Sequence, residues 1–417
     1  MVIHVLKKGR IQCVPTSEIR TNFRISLFFR NFVVSKRTLF MVIGYDAKRV
    51  YKNKTGLGNY SRMLVGGVAR NCPEAVCKLY SPDISGPFAD FFSGFNNIET
   101  VQPSGLARLF PHLWRSYGIA ARLTSDDVQI FHGLSHELPH FIPKKVKKVV
   151  TMHDLIVWRY PHLFPFFDRN VYRTKMRHSC KIADIVVAAS EQTKRDLQEF
   201  LHVPEQKIRV VYQSCDPIFW QPVTDDAKRS VRERYNLPQQ YIICVGTIEQ
   251  RKNQVAVVEA LAKLPEELHL VIVGGHRTDY YNTVCGTIKR LGLENRVHIL
   301  DKALFADFPA LYANAMMSMY VSEFEGFGIP VLESMCCDTP VITSNVSSMP
   351  EVGGEAALYV DPEDVDDIVA KAQQLYSDES LRQQLVEKGR EQRKKFTESV
   401  ITSQIVDLYK ELVKVEN

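Results

Sequence analysis

No C-x-x-C pair occurs among the nine cysteines of this 417-residue chain. Cys72 and Cys77 have four residues between them, Cys336 and Cys337 are adjacent, and Cys244 and Cys285 lie in or near apolar runs. That pattern excludes a disulfide framework and a thiol-rich zinc module, and it reads as buried thiols in a reduced, cytoplasmic protein. Long hydrophobic runs are missing too: nothing approaches the roughly 20 apolar residues that span a bilayer. A dinucleotide fingerprint is also absent. GLGNYS (56–61) lacks the third glycine of G-x-G-x-x-G and starts some ten residues past the first expected strand, which argues against a Rossmann oxidoreductase.

Nor is there a broad basic surface. The net charge is +6, but residues 1–40 carry eight Lys or Arg and one Glu, leaving 45 basic and 46 acidic residues of the chain's 53 and 47 for the rest. A near-neutral body does not support a nucleic-acid partner. The basic, aromatic stretch RTNFRISLFFRNFVVSKR (20–37) is interrupted by Arg30 and lacks a small-residue cleavage site, so it is not read as a signal peptide. A membrane-surface segment is one reading. The favoured one is a poorly ordered extension over 1–40, consistent with an upstream start codon, ahead of a fold that starts at Met41.

What the chain does have is a repeated strand–helix rhythm. Short continuous apolar runs at 40–46, 75–81, 128–132, 148–154, 184–190 and 208–213 read as buried parallel strands, with helical patterns such as 60–70 and 193–201 between them. SCDPIFWQPVTDD (214–226) breaks the rhythm and reads as a linker. The grammar restarts with runs at 241–247, 269–275, 296–300, 318–322, 340–344 and 357–361. The expectation is α/β: two Rossmann-like, doubly wound domains, 41–215 and 216–399, facing across a cleft lined by strand carboxyl ends. A last helix over 400–415, with Ile401, Ile405, Leu408, Tyr409 and Leu412 on one stripe, is expected to pack back on the first domain.

Two motifs carry chemistry. In EGFGIPVLE (325–333), Gly326 and Gly328 permit a close backbone approach after a strand, and Pro330 suits the first position of a helix. The helix start would aim free amides at the cleft as an anion site. Glu325 and Glu333, the latter expected in the first helical turn, would accept hydrogen bonds from sugar hydroxyls; a plain first-turn charge is the competing reading of Glu333. In VGTIEQRKN (245–253), Gly246 ends a strand, and Arg251 and Lys252 follow as a candidate phosphate clamp, the alternative being a solvated basic pair.

The RK pair, the Glu-x7-Glu run and TPVITSNVSSMPEVGGEAALYVDPEDVDDI (339–368) resemble family 4 of the retaining glycosyltransferases, which have the GT-B fold, over a stretch from about Met41 to the C-terminus. The resemblance makes the first domain the acceptor domain and the second the nucleotide-sugar domain. It implies that Arg251 and Lys252 bind the donor diphosphate, Glu325 the transferred sugar and Glu333 the ribose, while amides near Phe327 and Gly328 serve the sugar and phosphates. KTGLGNYSRML (54–64) is similar to the family's glycine loop, with Gly56 and Gly58 bringing amides to phosphates or acceptor. His132 aligns best with the histidine placed near the reacting sugar. His153, beside Asp154, is the second choice, and a structural strand-capping role stands beside it. Ser190 and Glu191 match a cleft-edge motif or cap the following helix. Two departures are noted: Gln213–Ser214 where relatives often have Asn-Gly, and Asp338 where Gly is usual.

The implied reaction moves a hexose, with retention, from a nucleotide diphosphate sugar to a glycan or lipid-linked acceptor hydroxyl. TGLGNYSRML and TMHDL look most like bacterial mannosyltransferases, which implies GDP-mannose. The nucleotide sugar is a substrate, so no cofactor is expected. No metal is expected either, because the acidic cluster EDVDD (363–367) lies well past the site. The alternative is a non-catalytic GT-B subunit that binds nucleotide sugar or scaffolds a partner transferase; decayed copies tend to lose the residues kept here. Two stretches, 106–118 and 141–150 near 159–177, mix aromatics with Lys and Arg as segments at the inner face of the plasma membrane would. A core-packing helix with a solvated basic turn is set slightly ahead of that peripheral contact. The oligomeric state is left open.

Overall fold

A computed structural model describes residues 3–7, 10–14, 41–276 and 279–414. In the first forty residues, β1 (Ile3–Lys7) and β2 (Arg10–Val14) pair antiparallel. The extension expected over 1–40 otherwise lies outside the described residues.

The body from Met41 onward holds two parallel sheets. The first contains β3 (Val42–Asp46), β4 (Val76–Tyr80), β5 (Ile98–Val101), β6 (Ile130–Gly133), β7 (Lys147–Met152), β8 (Ile185–Ala188) and β9 (Ile208–Val210), in the order β5-β4-β3-β6-β7-β8-β9. The second contains β10 (Gln240–Val245), β11 (Leu268–Val273), β12 (Val297–Leu300), β13 (Met317–Tyr320), β14 (Val341–Ser344) and β15 (Ala357–Val360), in the order β12-β11-β10-β13-β14-β15. The α/β expectation of two doubly wound parallel sheets is met. Its physical basis is visible in β6, β8, β13 and β14, where every residue is buried because helices cover both faces. Edge strand β5 was not expected: IETV has one apolar residue at each end and two exposed residues between them, so it carries no continuous apolar run.

In both sheets the chain order reverses at a central strand pair, β3/β6 and β10/β13. That crevice at the carboxyl ends is where open α/β sheets take ligands. The C-terminal helix Glu398–Lys414 returns to the first sheet and packs on helix Gly56–Asn71. Contact is close because Gly67 has no side chain; a Cβ there would overlap Thr402. Arg70 pairs with Glu398 and Asn71 bonds Thr402, while Ile401, Ile405 and Tyr409 are buried in the first sheet's core.

Candidate active site at the junction of the two sheets

Strand β10 is followed by Gly246, whose φ of +143° favours glycine. A Cβ there would press on the Lys252 stem, 3.1 Å from its Cδ. The chain then makes a short 3-10 turn, Gln250–Lys252, closed by Asn253 in the left-handed region before helix Gln254–Leu261. The turn folds Arg251 and Lys252 back toward the neighbouring strand β13.

Beyond β13 the chain presents Glu325. Its Oε1 lies 2.5 Å from Arg251 Nη1 and 2.9 Å from Lys252 Nζ, and it accepts from Tyr320 OH at 2.6 Å and Ser322 Oγ at 3.1 Å. The Glu325 amide donates to Ser347 Oγ at 3.0 Å. Burial alone would raise this carboxyl, but Arg251 and Lys252 outweigh it and hold its pKa at about 2. Conversely, burial disfavours the charged amine of Lys252, and Glu325 more than compensates, so its pKa rises. Arg251 is only 9% exposed and also donates to the Phe324 carbonyl at 2.5 Å and to Glu249 at 2.6 Å. The basic pair is thus not a solvated one. Lys252 spends two of its three donors on Tyr320 and Glu325 and keeps one, while the hydrogen bonds to Glu325 all converge on Oε1 and leave its second oxygen open.

The rest of EGFGIPVLE turns through Gly328, at φ +106°, into helix Ile329–Cys336. Pro330 is therefore the second helical residue, not the first, and Glu333 sits in the second turn rather than the first. A terminal-dipole role for Glu333 is thereby removed. Its carboxylate accepts from Tyr312 OH at 3.0 Å, and burial pushes its pKa up to about 7. The Phe327 ring does not face a ligand: it packs against Tyr212 and Phe396, 6.0 and 5.5 Å between centroids, leaving only its backbone for the site.

The first domain meets this cluster through His153 and Asp154. A Cβ at Gly326 would overlap the His153 carbonyl oxygen and come within 2.9 Å of Asp154 Cβ. Thr193 Oγ1 reaches the carbonyls of both His153 and Gly326, at 3.2 and 3.3 Å. Asp154 is half-buried beside Arg251 and Glu325, and desolvation raises its pKa against the pull of its Ile156 amide bond and Arg251. The His153 ring is fully engaged: Nε2 donates to the Leu134 carbonyl at 2.9 Å, leaving Nδ1 to accept from Gln213 Nε2 at 3.2 Å. Burial drops its pKa to about 3, so it stays neutral. Gln213, one of the two departures, therefore fixes the orientation of this ring. Asp338, the other, takes the left-handed conformation at φ +55° and binds Arg390 through both oxygens.

His132 is elsewhere. It is wholly buried, with Nδ1 2.5 Å from Tyr409 OH of the C-terminal helix and Nε2 2.8 Å from Thr151 Oγ1. Both nitrogens are used inside the first domain, so the structure replaces the expected sugar contact with a bolt between β6 and the terminal helix. The position of His132 in the middle of the sheet, beside β7, explains this: its strand-end side chain points into the layer that the returning helix covers. Gly58 is also reassigned. It lies inside helix Gly56–Asn71, its amide donates to the Thr55 carbonyl at 2.9 Å, and a Cβ would overlap the Asn53 carbonyl, so it serves the packing of its own loop. Ser190 caps its helix through Thr193 N at 3.0 Å. Across the junction, the Glu351 carboxylate accepts the first-turn amides of Glu191 and Gln192 at 2.6 and 2.8 Å.

Sequence reasoning missed Tyr320, Ser322, Ser347, Gln213 and Glu351. The first two could have been found as polar residues ending the apolar run before Glu325; Glu351 had no local signal. The aromatic-basic stretches are divided: Trp114, Ile142, Val146, Val150 and Met176 pack into the first sheet's core as the core-helix alternative required, whereas Leu106, Phe110, Leu113, Phe141, Phe166 and Phe167 are exposed. Among the described residues, no helix is long and apolar enough to cross a membrane, and no group of three or more His, Cys, Asp or Glu is placed to hold a metal ion.

Comparison with known proteins adds a family signal to this geometry. Residues 226–392 match the model for glycosyl transferases group 1, and residues 56–218 match that for glycosyltransferase family 4. The chain is 31% identical over 375 residues to O-antigen chain mannosyltransferase B of Escherichia coli, covering 85% of this chain and 96% of that one. It is 28% identical to the O-antigen chain mannosyltransferase RfbU of Salmonella typhimurium, over 76% of this chain and 86% of that one. Among solved structures, sucrose-phosphate synthase from Thermosynechococcus elongatus superposes with a TM-score of 0.72 at 20% identity, over 90% of this chain and all of that one. Anabaena HepE, solved with UDP and glucose, gives 0.69 at 18% identity, over 89% and 100%. These two likenesses show a shared GT-B fold.

Proposed function

This chain belongs to the family 4, group 1 glycosyltransferases, and from that premise we propose that it moves mannose, with retention, from GDP-mannose to a hydroxyl of a lipid-linked glycan. The observation that carries the proposal is the Arg251–Glu325–Lys252 cluster seated against His153 and Asp154 at the junction. The donor diphosphate would take the remaining donors of Arg251 and Lys252 and the Ile329 amide at the start of helix Ile329–Cys336, Pro330 having no N–H and Val331 donating to the Gly328 carbonyl. The open oxygen of Glu325 would take a sugar hydroxyl, and Glu333 the ribose. The mannosyl assignment is supported by the two O-antigen mannosyltransferase relatives.

The leaving group is a nucleoside diphosphate, and its growing charge needs fixed positive partners. Arg251 and Lys252 are already charged and held in place by Glu325, so little reorganisation is required. Donors placed in this way are worth roughly 10²–10³ in rate each. This pair fills the place a divalent metal would take, so we infer a metal-independent reaction. The neutral His153 ring acts by position rather than proton transfer. The departing phosphate would accept the proton of the attacking hydroxyl on its own face, and the closed junction at Gly326 would exclude water.

The exposed apolar residues support contact with a bilayer. Tyr117 lies 5.9 Å from Phe141 and stacks on His140, which lies 4.1 Å from His178 of helix Phe166–Ile182, so the two stretches share one face. Arg108, Arg169 and Arg177 accompany them, the composition of an interfacial patch on anionic lipid. This reading places the enzyme at the inner face of the plasma membrane.

The test is a thermal-shift screen of GDP and UDP sugars on wild type and Arg251→Ala, followed by transfer from the stabilising donor. Stabilisation by GDP-mannose that disappears in Arg251→Ala is expected. An unaltered shift in the variant would remove the clamp.

A further inference from the structure

A second cluster of charge lies in the first domain, around Glu137. A cavity of about 70 Å³ is lined by Asp46, Arg115, Glu137, His140, Lys175 and His178. That is room for a few water molecules or a small anionic group. Three cations converge on one carboxylate here. Lys48 Nζ lies 3.0 Å from Glu137 Oε2, Arg115 pairs with the same oxygen, and Lys175 Nζ lies 3.4 Å from Oε1. Even with Asp46 counted, one positive charge is unmatched. Burial opposes the charged form of Lys48, and Arg115 adds to that. Burial raises Glu137, yet Lys48 and Arg115 bring it down to about 2.

Two further features point to a ligand. His178 Nε2 is buried without a hydrogen-bond partner. The wide π-helical turn Trp114–Gly118 carries Arg115 and Ser116 into the cavity wall, and Gly118 is needed there because a Cβ would come within 2.6 Å of the Trp114 ring. Such turns cluster at functional sites. The rim is apolar, formed by exposed Tyr117 and Phe141.

We propose that this cavity binds a phosphoryl group of the acceptor, most fittingly a diphosphate that joins a glycan to a lipid. Arg115 and Lys175 would meet the anion from the cavity wall, with Lys48 held beside them on Glu137; the anion would draw a proton onto His178 Nε2, which would then complete its shell, and the apolar rim would meet the first carbons of the lipid. The word acceptor rests on the transfer reading above; the anion site itself does not.

Hexyl diphosphate is titrated by calorimetry into wild type, Lys175→Gln, Arg115→Gln and Arg251→Ala. Lys175 is 42% exposed at its side chain, so its substitution leaves the fold intact even where Arg115→Gln does not. With GDP present in every titration to occupy the donor cluster, affinity is expected to fall at least tenfold in Lys175→Gln and to match wild type in Arg251→Ala. Unchanged affinity in Lys175→Gln, or a loss confined to Arg251→Ala, would overturn the site. A second arm compares kcat/KM for a glycosyl hexyl diphosphate and the matching hexyl glycoside; Lys175→Gln should cut that preference tenfold. A third floats the protein with anionic vesicles. Loss of flotation in Lys175→Gln with an undiminished preference would assign the cavity to a bilayer headgroup and refute the acceptor role. Should no sugar be transferred at all while the binding pattern holds, the transfer reading fails and the anion site stands.

Discussion

Gly326 has no room for a side chain beside His153: any Cβ at that position would overlap the His153 carbonyl oxygen. The junction between the two sheets closes on this pair, with Thr193 reaching both carbonyls. Gly326→Ala is therefore expected to fold but to hold the domains apart, lowering kcat by about 10²-fold, the usual cost of a misplacement near 1 Å. Small-angle scattering checks this through a radius of gyration larger than that of wild type. Wild-type dimensions together with wild-type kcat would refute it.

Glu351 is the longer arm of the same closure. Its carboxylate takes two amides at the start of helix Glu191–Leu201, where the helix dipole favours a negative charge. Glu351→Ala should cost about 1–2 kcal/mol of closure free energy. Hydrogen exchange reports it directly, as faster exchange at Glu191 and Gln192 with the β8 amides unaffected.

Removal of the negative charge at Glu325 leaves Lys252 without a counter-charge and Arg251 with Glu249 alone. Glu325→Gln should lose about 3 kcal/mol of stability in the ligand-free protein. A diphosphate would neutralise the same cations. Nucleotide diphosphate should then raise the Tm of Glu325→Gln by more than it raises that of wild type.

Glu333 gives a pH signature of definite sign. Its folded-state pKa of about 7 lies above the ordinary value of 4.5, so the folded state binds more protons between those values. Its contribution is fully present below about 4.5 and is lost as pH rises through 7. Wild type should lose up to about 3 kcal/mol relative to Glu333→Gln over that window. Chemical denaturation of both proteins at pH 5 and pH 8 measures it. If the ionised carboxylate takes the ribose, donor affinity climbs over the same window in wild type alone.

His132 and Tyr409 test the reassignment of the first histidine. Tyr409→Phe strands one nitrogen of a wholly buried ring, at a cost of about 1–3 kcal/mol. Tm should fall while kcat and KM stay at wild-type values. A loss of kcat with Tm preserved would return His132 to the reaction.

The sequence by itself determined the two parallel sheets, because strands buried on both faces must be continuously apolar and those runs are read locally. It also determined that Arg251, Lys252 and Glu325 belong together, since each follows a strand end and strand ends of one parallel sheet share one edge. The choice between His132 and His153 was not written there. Both end strands of the same sheet, and only the returning C-terminal helix, which places Tyr409 on one ring, separated them. Phe327 and Gly58 entered through the family resemblance as sources of backbone amides, and a resemblance carries a position without saying which neighbours its backbone and side chain meet. The charge cavity around Glu137 draws on residues from 46 to 178, and the Glu351 clasp joins two sheets; neither has a local pattern. Chain-local chemistry sets the elements and their ends, whereas the partner of each buried polar group depends on which distant segment arrives to satisfy it, and that is decided only when the chain is packed.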